Sequence, residues 1–211
     1  MMKDRPATRD SEALSEPFAL LLPEESAPVR LMSTIWADRG GVHDSLRTVG
    51  DLRAWLAAVC EPDAGDSDNW RLDRTDVDRF RTLRDALRRL AALLTEDSRS
   101  GAMSAATDLE RAVADVNHIA TEAATWPQLF LDEGQLRRRH TSTAAPATRL
   151  AAAVAVEAVE LFTGEDRVRL RACYAPGCVL YFVKDHPRRE WCCTACGNRA
   201  RAARHYQRHR G

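Results

Sequence analysis

The stretch that decides the fold reads Cys173-Tyr174-Ala175-Pro176-Gly177-Cys178, then Val179-Leu180-Tyr181-Phe182-Val183, then Trp191-Cys192-Cys193-Thr194-Ala195-Cys196-Gly197-Asn198-Arg199. Five of the six cysteines lie in it, and Cys60 stands apart as a small apolar residue at a helix end. The first pair encloses Pro-Gly, a tight turn that brings two sulfurs to one point. Residues 179–183 are β-branched and aromatic, which suits a strand leading away from that turn. The second cluster falls where a new helix begins. Two thiol pairs, one on a knuckle and one at a helix start, make a tetrahedral Zn²⁺ site, and four sulfurs leave no open position for catalysis. One structural zinc is therefore expected. Spacing leaves the third ligand open: Cys193 forms Cys-x-x-Cys with Cys196, which favours it slightly over Cys192.

Downstream, residues 197–211 carry five arginines and no acid. Ala200, Ala202 and Ala203 favour a helix. Arg201, Arg204, His205 and Arg208 recur at i, i+3, i+4 and i+7 and so share one face. The forked donors of arginine suit phosphate oxygens and guanine edges. The expectation is a helix lying on or in a groove of double-stranded DNA. Asn198, Arg199, Arg201, Arg204 and Arg208 are the candidate contacts. Other uses fit the same residues: solvated cations, docking to an acidic protein, or, for Asn198 and Arg199, a structural place beside the metal, where four thiolates leave a net negative centre.

The carboxy-terminal stretch resembles the CGNR zinc-finger family. Cys196-Gly197-Asn198-Arg199 is intact, Trp191-Cys192 precedes it, and a basic helix follows. In that family the residue after the Trp-Cys cysteine is usually serine. The resemblance thus implies Cys173, Cys178, Cys192 and Cys196 as ligands, with Cys193 at the serine position. Leu161-Phe162-Thr163-Gly164 and Arg169-Leu170-Arg171-Ala172 are similar to the family's approach to the finger. Leu31-Met32-Ser33-Thr34 and Asp51-Leu52-Arg53-Ala54-Trp55-Leu56 resemble the ABATE domain that accompanies it, with Ser33-Thr34 where the family often has Asn-Thr. What the resemblance implies is a stress-induced bacterial transcription regulator.

Upstream, the chain reads as mainly helical. Thr48-x-x-Asp51 is a capping box with Asp for Glu, and it opens a helix with Val49, Leu52, Trp55, Leu56 and Val59 on its apolar face. A second helix, about 75–95, carries Phe80, Leu83, Leu87, Leu90 and Leu94 at helical spacing, with Arg81, Arg84, Asp85 and Arg88 expected to face water. A third, about 103–123, sets Leu109, Val113, Val116 and Ala120 on one face. A fourth, about 145–163, carries Leu150, Val154, Val156, Val159, Leu161 and Phe162 and stops at Gly164. Residues 18–22 suit a strand, and 31–36 a strand or a helix start. Arg39-Gly40-Gly41 is a turn, and 128–143 a hairpin or a loop. The expected organisation is a polar tail over 1–17, a mostly helical domain over 18–164, and a small α+β treble-clef-like finger with its basic helix over 165–211.

The length of 211 residues allows one or two domains, and 45% hydrophobic with 29% charged residues excludes a disordered chain or a small disulfide scaffold. No apolar run approaches the roughly 20 residues of a membrane span, and the polar start lacks a secretory signal. A cytoplasmic, nucleoid-associated protein is expected. The net charge of zero hides an asymmetry: residues 165–211 hold 11 Lys+Arg against 4 Asp+Glu, so the rest is net acidic. No glycine-rich phosphate loop, nucleophile elbow or His-Glu-x-x-His occurs, so no enzyme is expected. Trp36, Trp70 and Trp126 are candidates for a small-molecule effector pocket, and a homodimer would give two half-sites. The leading expectation is a DNA-binding transcriptional regulator; the alternative is a zinc-dependent adaptor for an acidic protein.

Overall fold

The structure is a computed structural model describing residues 22–59 and 71–209. The expected tail, nearly all of the candidate strand over 18–22, Cys60, Trp70 and Arg210 lie outside the described residues. The architecture is mainly α, with a small α+β unit at the carboxy end.

Helix α3 (Arg74–Leu94) is the central element, and α1 (Ala27–Met32), α2 (Val49–Val59), α4 (Leu109–Thr121) and α5 (Pro146–Thr163) pack on it. Its start is a reciprocal cap. The Asp73 carboxylate accepts from the Asp76 amide at 3.0 Å, and that of Asp76 accepts from the Asp73 amide at 3.1 Å. Helix α2 opens on the expected box, with Asp51 N donating to Thr48 Oγ1 and Thr48 N to Asp51 Oδ2. Val77, Phe80, Leu83, Leu87 and Ala91 of α3 are fully buried, and Phe80 meets Trp55 edge-on with ring centroids 5.6 Å apart. Removing such side chains from water contributes about 1.5–3 kcal/mol each.

Arg84 and Arg88 do not face water; they are 2% and 1% exposed. Arg84 lies seven residues after Val77 and seven before Ala91, and Arg88 one turn beyond it. Both therefore fall on the flank of the buried stripe. Arg84 pairs with Asp44 at 2.7 Å and Asp85 at 2.9 Å. A buried guanidinium is tolerated because its donors are matched.

Segment 31–36 divides. Met32 ends α1, Ser33 and Thr34 bond back to the Val29 and Leu31 carbonyls, and β1 (Ile35–Asp38) begins at Ile35. β1 pairs antiparallel with β2 (Gly41–Asp44) across the Arg39-Gly40 turn, with Gly41 at φ 122°. On α4 the buried face is Ala112, Val116 and Ile119, while Val113 is turned outward. Helix α5 buries Ala151, Val154, Ala155, Ala158 and Leu161, and leaves Val156 and Val159 half open. In both helices small alanines (Ala112; Ala151, Ala155 and Ala158) share the buried face, so their apolar stripe is poorer in large residues than the sequence stripe suggests. At Gly164, which ends α5, a Cβ would stand 2.7 Å from the Glu160 carbonyl oxygen.

Residues 128–143 contain a hairpin strand rather than an open loop. β3 (Trp126–Asp132) pairs with β4 (Gln135–Thr141) in register Trp126↔Thr141 to Asp132↔Gln135. The finger follows α5: β5 (Leu170–Ala172), the cysteine knuckle, β6 (Tyr181–Val183), a loop, and α6 (Thr194–His209). The strand expected over 179–183 is shortened to its last three residues. This strand–knuckle–strand–loop–helix order is treble-clef-like. One hydrophobic core runs from α3 through β5 and β6 to the cysteines.

Candidate metal centre and basic helix

β5 and β6 pair antiparallel, and the Cys173 amide extends the ladder to the Leu180 carbonyl at 2.9 Å. Between them the chain doubles back. Cys178 N donates to Ala175 O at 2.9 Å, and Gly177 holds φ 73°, a left-handed conformation that favours glycine. The loop after β6 returns Cys192, whose amide points at Cys173 Sγ from 3.5 Å. Cys196 sits in the first turn of α6, at the end of the helix that favours negative charge.

The ligand sulfurs of Cys173, Cys178, Cys192 and Cys196 lie within 4.8 Å of one another, and all four residues are buried. Cys192 is 3.9 Å from Cys178 and 3.4 Å from Cys196, sulfur to sulfur. Bonds of 2.3 Å to a tetrahedral Zn²⁺ separate sulfurs by about 3.8 Å. The donor set and its spacing fit one structural Zn²⁺. Cys193 is half-buried and outside the group. The four-sulfur group thus follows the family pattern rather than the Cys-x-x-Cys spacing, with Cys193 Sγ still 3.9 Å from Cys192 Sγ.

The sulfurs also fit a dication electrostatically. Hydrogen bonds from Cys178, Cys192 and Cys196 hold the Cys173 thiol well below the ordinary thiol range. Its neighbours Cys192 and Cys196 are pushed up, first because they donate to Cys173. One thiolate thus opposes the next, and a bound divalent cation removes that opposition.

Residues outside the motif hold the centre in place. Arg99 donates to the carbonyls of Cys173 and Cys178, the latter at 2.6 Å, and pairs with Asp97 at 2.7 Å. Burial raises the Asp97 carboxyl, but the hydrogen bonds from Arg99 and the Tyr181 hydroxyl outweigh it, and the group stays below the usual carboxylate range. Arg88 donates to Met32 O, Ala102 O and Val179 O, so one side chain joins α1, the turn before α4 and the finger. Burial lowers its guanidinium to about 10, which leaves it protonated at neutral pH. Arg189 donates to Val183 O and Cys192 O and pairs with Glu25 at 2.6 Å. Sequence reading assigned no such role to Glu25, Arg88, Asp97, Arg99 or Tyr181, while Arg189, with Arg188 and Arg199, was a candidate to offset the thiolate charge. The visible signal was charge inside the apolar arc of α3; nothing local marked Asp97, Arg99 or Glu25.

Arg199 donates to Cys196 Sγ at 2.9 Å, while Arg201 donates to Asn198 Oδ1. Arg204 reaches only the Ala200 carbonyl of its own helix, at 3.4 Å. Arg201, Arg204, His205 and Arg208 are exposed, and among the described residues no α6 arginine has a carboxylate partner. Of the candidate pocket tryptophans, Trp36 lines a cleft of about 550 Å³ with Trp55, His43, Arg47 and Asp51. Trp126 stands exposed on β3.

Fold and site define a helical protein carrying a Cys₄ zinc finger at its carboxy end. A family model described as "Putative stress-induced transcription regulator", ABATE, matches residues 25–165, and the CGNR zinc finger matches residues 169–209. The chain belongs to the ABATE family, with a CGNR zinc finger following that domain. These are regulator and zinc-finger families rather than families of enzymes. No curated protein matches the chain. No helix among the described residues is long and apolar enough to cross a membrane.

Proposed function

We propose that this zinc-finger regulator binds double-stranded DNA through α6, with residues 18–164 as the sensing or pairing domain and 165–211 as the finger. The carrying observation is the combination on α6 of exposed arginines without carboxylate partners and a helix start fixed to the metal centre. Cys173, Cys178, Cys192 and Cys196 hold the zinc. When bound, the ion supplies folding free energy to a segment with little core of its own. The chain's residues do the rest: Arg99 and Arg189 clamp the ligand loops, Arg199 offsets the thiolate charge, and Arg201, Arg204 and Arg208 meet phosphates or base edges. Asn198 orients Arg201. The protein works in the cytoplasm at the nucleoid, catalyses no reaction, and takes a small-molecule effector in the Trp36–Trp55 cleft, whose volume lies in the usual range for ligand sites.

The test is binding of the zinc-loaded chain to duplex DNA at several salt concentrations. Wild type should show an affinity that falls steeply with salt. Changing Arg201, Arg204 and Arg208 together to Ala should weaken binding and flatten the salt slope. Affinity untouched by that change overturns the reading; binding to an acidic protein instead would make the finger an adaptor.

A further inference from the structure

None of the fourteen residues of β3 and β4 is buried. A two-stranded hairpin alone in water is marginally stable at best. This one turns tightly at Glu133-Gly134, both at positive φ, 48° and 79°. Alternation divides its side chains between two faces. One face is satisfied within the hairpin: Arg137 pairs with Asp132 at 2.9 Å, and Arg139 bonds Gln128 at 2.9 Å and lies 5.1 Å from the Phe130 ring centroid.

The other face is open. Leu129, Leu131 and Leu136 are 66%, 69% and 71% exposed. The register puts Leu131 opposite Leu136, Leu129 opposite Arg138, and Pro127 opposite His140. The face is therefore apolar in the middle and basic at its open end (Arg138, His140), with an acidic residue, Glu133, in the turn at its tip. Among the described residues neither Glu133 nor Arg138 has an ion-pair partner.

The geometry points to a second copy of this chain as the occupant. Two ribbons laid face to face and antiparallel about a two-fold axis put leucine on leucine. The same operation lays the Glu133 tip of each copy over the Leu129–Arg138 pair of the other, with Arg138 one strand across from Glu133. Such a surface complements itself under a two-fold, as an isologous interface requires. A nucleic acid would match the basic end but meet leucines and an acidic tip. A seven-residue strand spans about 23 Å, so the ribbon face covers less than the roughly 800 Å² per partner of a standard interface. The pairing is consequently weak and reversible. The eighteen residues of α5, about 27 Å of helix, separate the ribbon's open end from the finger. Pairing there leaves both basic helices uncovered. Joining two fingers on one duplex then raises avidity without a new DNA contact. That use rests on the DNA-binding reading; the pairing itself does not.

Sedimentation equilibrium of the zinc-loaded full chain, from about 1 to about 200 µM, tests it over the range a weak interface requires. The expected result is a monomer–dimer equilibrium with a micromolar dissociation constant. Leu131→Asp with Leu136→Asp should weaken it at least about tenfold, with zinc content and melting temperature unchanged. Arg138→Glu should weaken it, and adding Glu133→Arg should restore it. A wild-type chain that stays monomeric throughout, a dimer indifferent to the leucine changes, or a charge exchange that fails to rescue overturns the pairing. A monomeric leucine variant that still binds DNA leaves the DNA-binding reading intact. A dimeric α6 variant that no longer responds to DNA leaves the pairing intact.

Discussion

Helices α3 and α6 are both arginine-rich, and they use that charge in opposite ways. All six arginines of α3 have acceptors within the protein, although the buried Nε of Arg88 has none. Arg74, Arg79, Arg81 and Arg84 meet carboxylates, and Arg88 and Arg89 meet backbone carbonyls. In α6 the partners are a cysteine sulfur, a side-chain amide and a carbonyl of the same helix. The difference lies in the surroundings. α3 is central, so Arg84 and Arg88 on its buried flank are desolvated and persist only where acceptors surround them, while Arg74 near its start stays exposed. α6 extends beyond the metal centre with most of its surface in water. An arginine count on a helix therefore says nothing about its role until the neighbouring acceptors are known.

The largest effect that sharpens this comparison is on the metal. Removing zinc with a chelator should unfold the finger, since structural zinc contributes about 10–16 kcal/mol of apparent binding free energy in small fingers. Because Arg88, Arg99 and the core link finger to body, the melting temperature of the whole chain should fall with it. Circular dichroism melts with and without metal check this; a body that melts unchanged would make the finger an independent unit.

Next comes Arg88→Met, which leaves the carbonyls of Met32, Ala102 and Val179 without their donor. A loss of about 3–5 kcal/mol is expected from denaturant titration. Arg208→Met in α6 should change stability by no more than about 0.5 kcal/mol.

A smaller effect is tied to pH. The folded-state value of Asp97 lies below its ordinary one, so the group stabilises the fold above the ordinary carboxylate range near pH 4. That contribution is lost as pH falls through the lowered value. Zinc-loaded Asp97→Asn should be less stable than wild type by about 2 kcal/mol near neutrality, with the gap closing in acid. A gap that does not depend on pH would mean that shape, not charge, is what Asp97 supplies.

The smallest effect on stability belongs to the joint Arg201, Arg204 and Arg208 to Ala change. The melting temperature should stay put while the salt slope of DNA binding drops by about 2.7, three phosphate contacts' worth.

Much of the site was legible in order along the chain. The knuckle, the strand after it and the helix start at the second cysteine cluster are local features, set by Pro-Gly, β-branching and alanine content. The capping box at Thr48 and the stop at Gly164 are local in the same sense. What was not legible depended on partners far along the chain. Arg88 bonds Val179 across 91 residues and Arg99 bonds Cys178 across 79. Val113 on α4 and Val159 on α5 look like core residues in a window, but the alanines beside them, Ala112 and Ala158, are the buried ones.

By itself, then, the sequence determined that four thiols could gather and that a basic helix would follow them, because covalent spacing and backbone preference act over a few residues. Tertiary structure alone decided that Arg84 and Arg88 of α3 are internal, that the α6 arginines have no carboxylate partner among the described residues, and that the leucines of the β3–β4 ribbon face water. Burial is a property of the surroundings, and desolvation selects among residues that local pattern treats as alike.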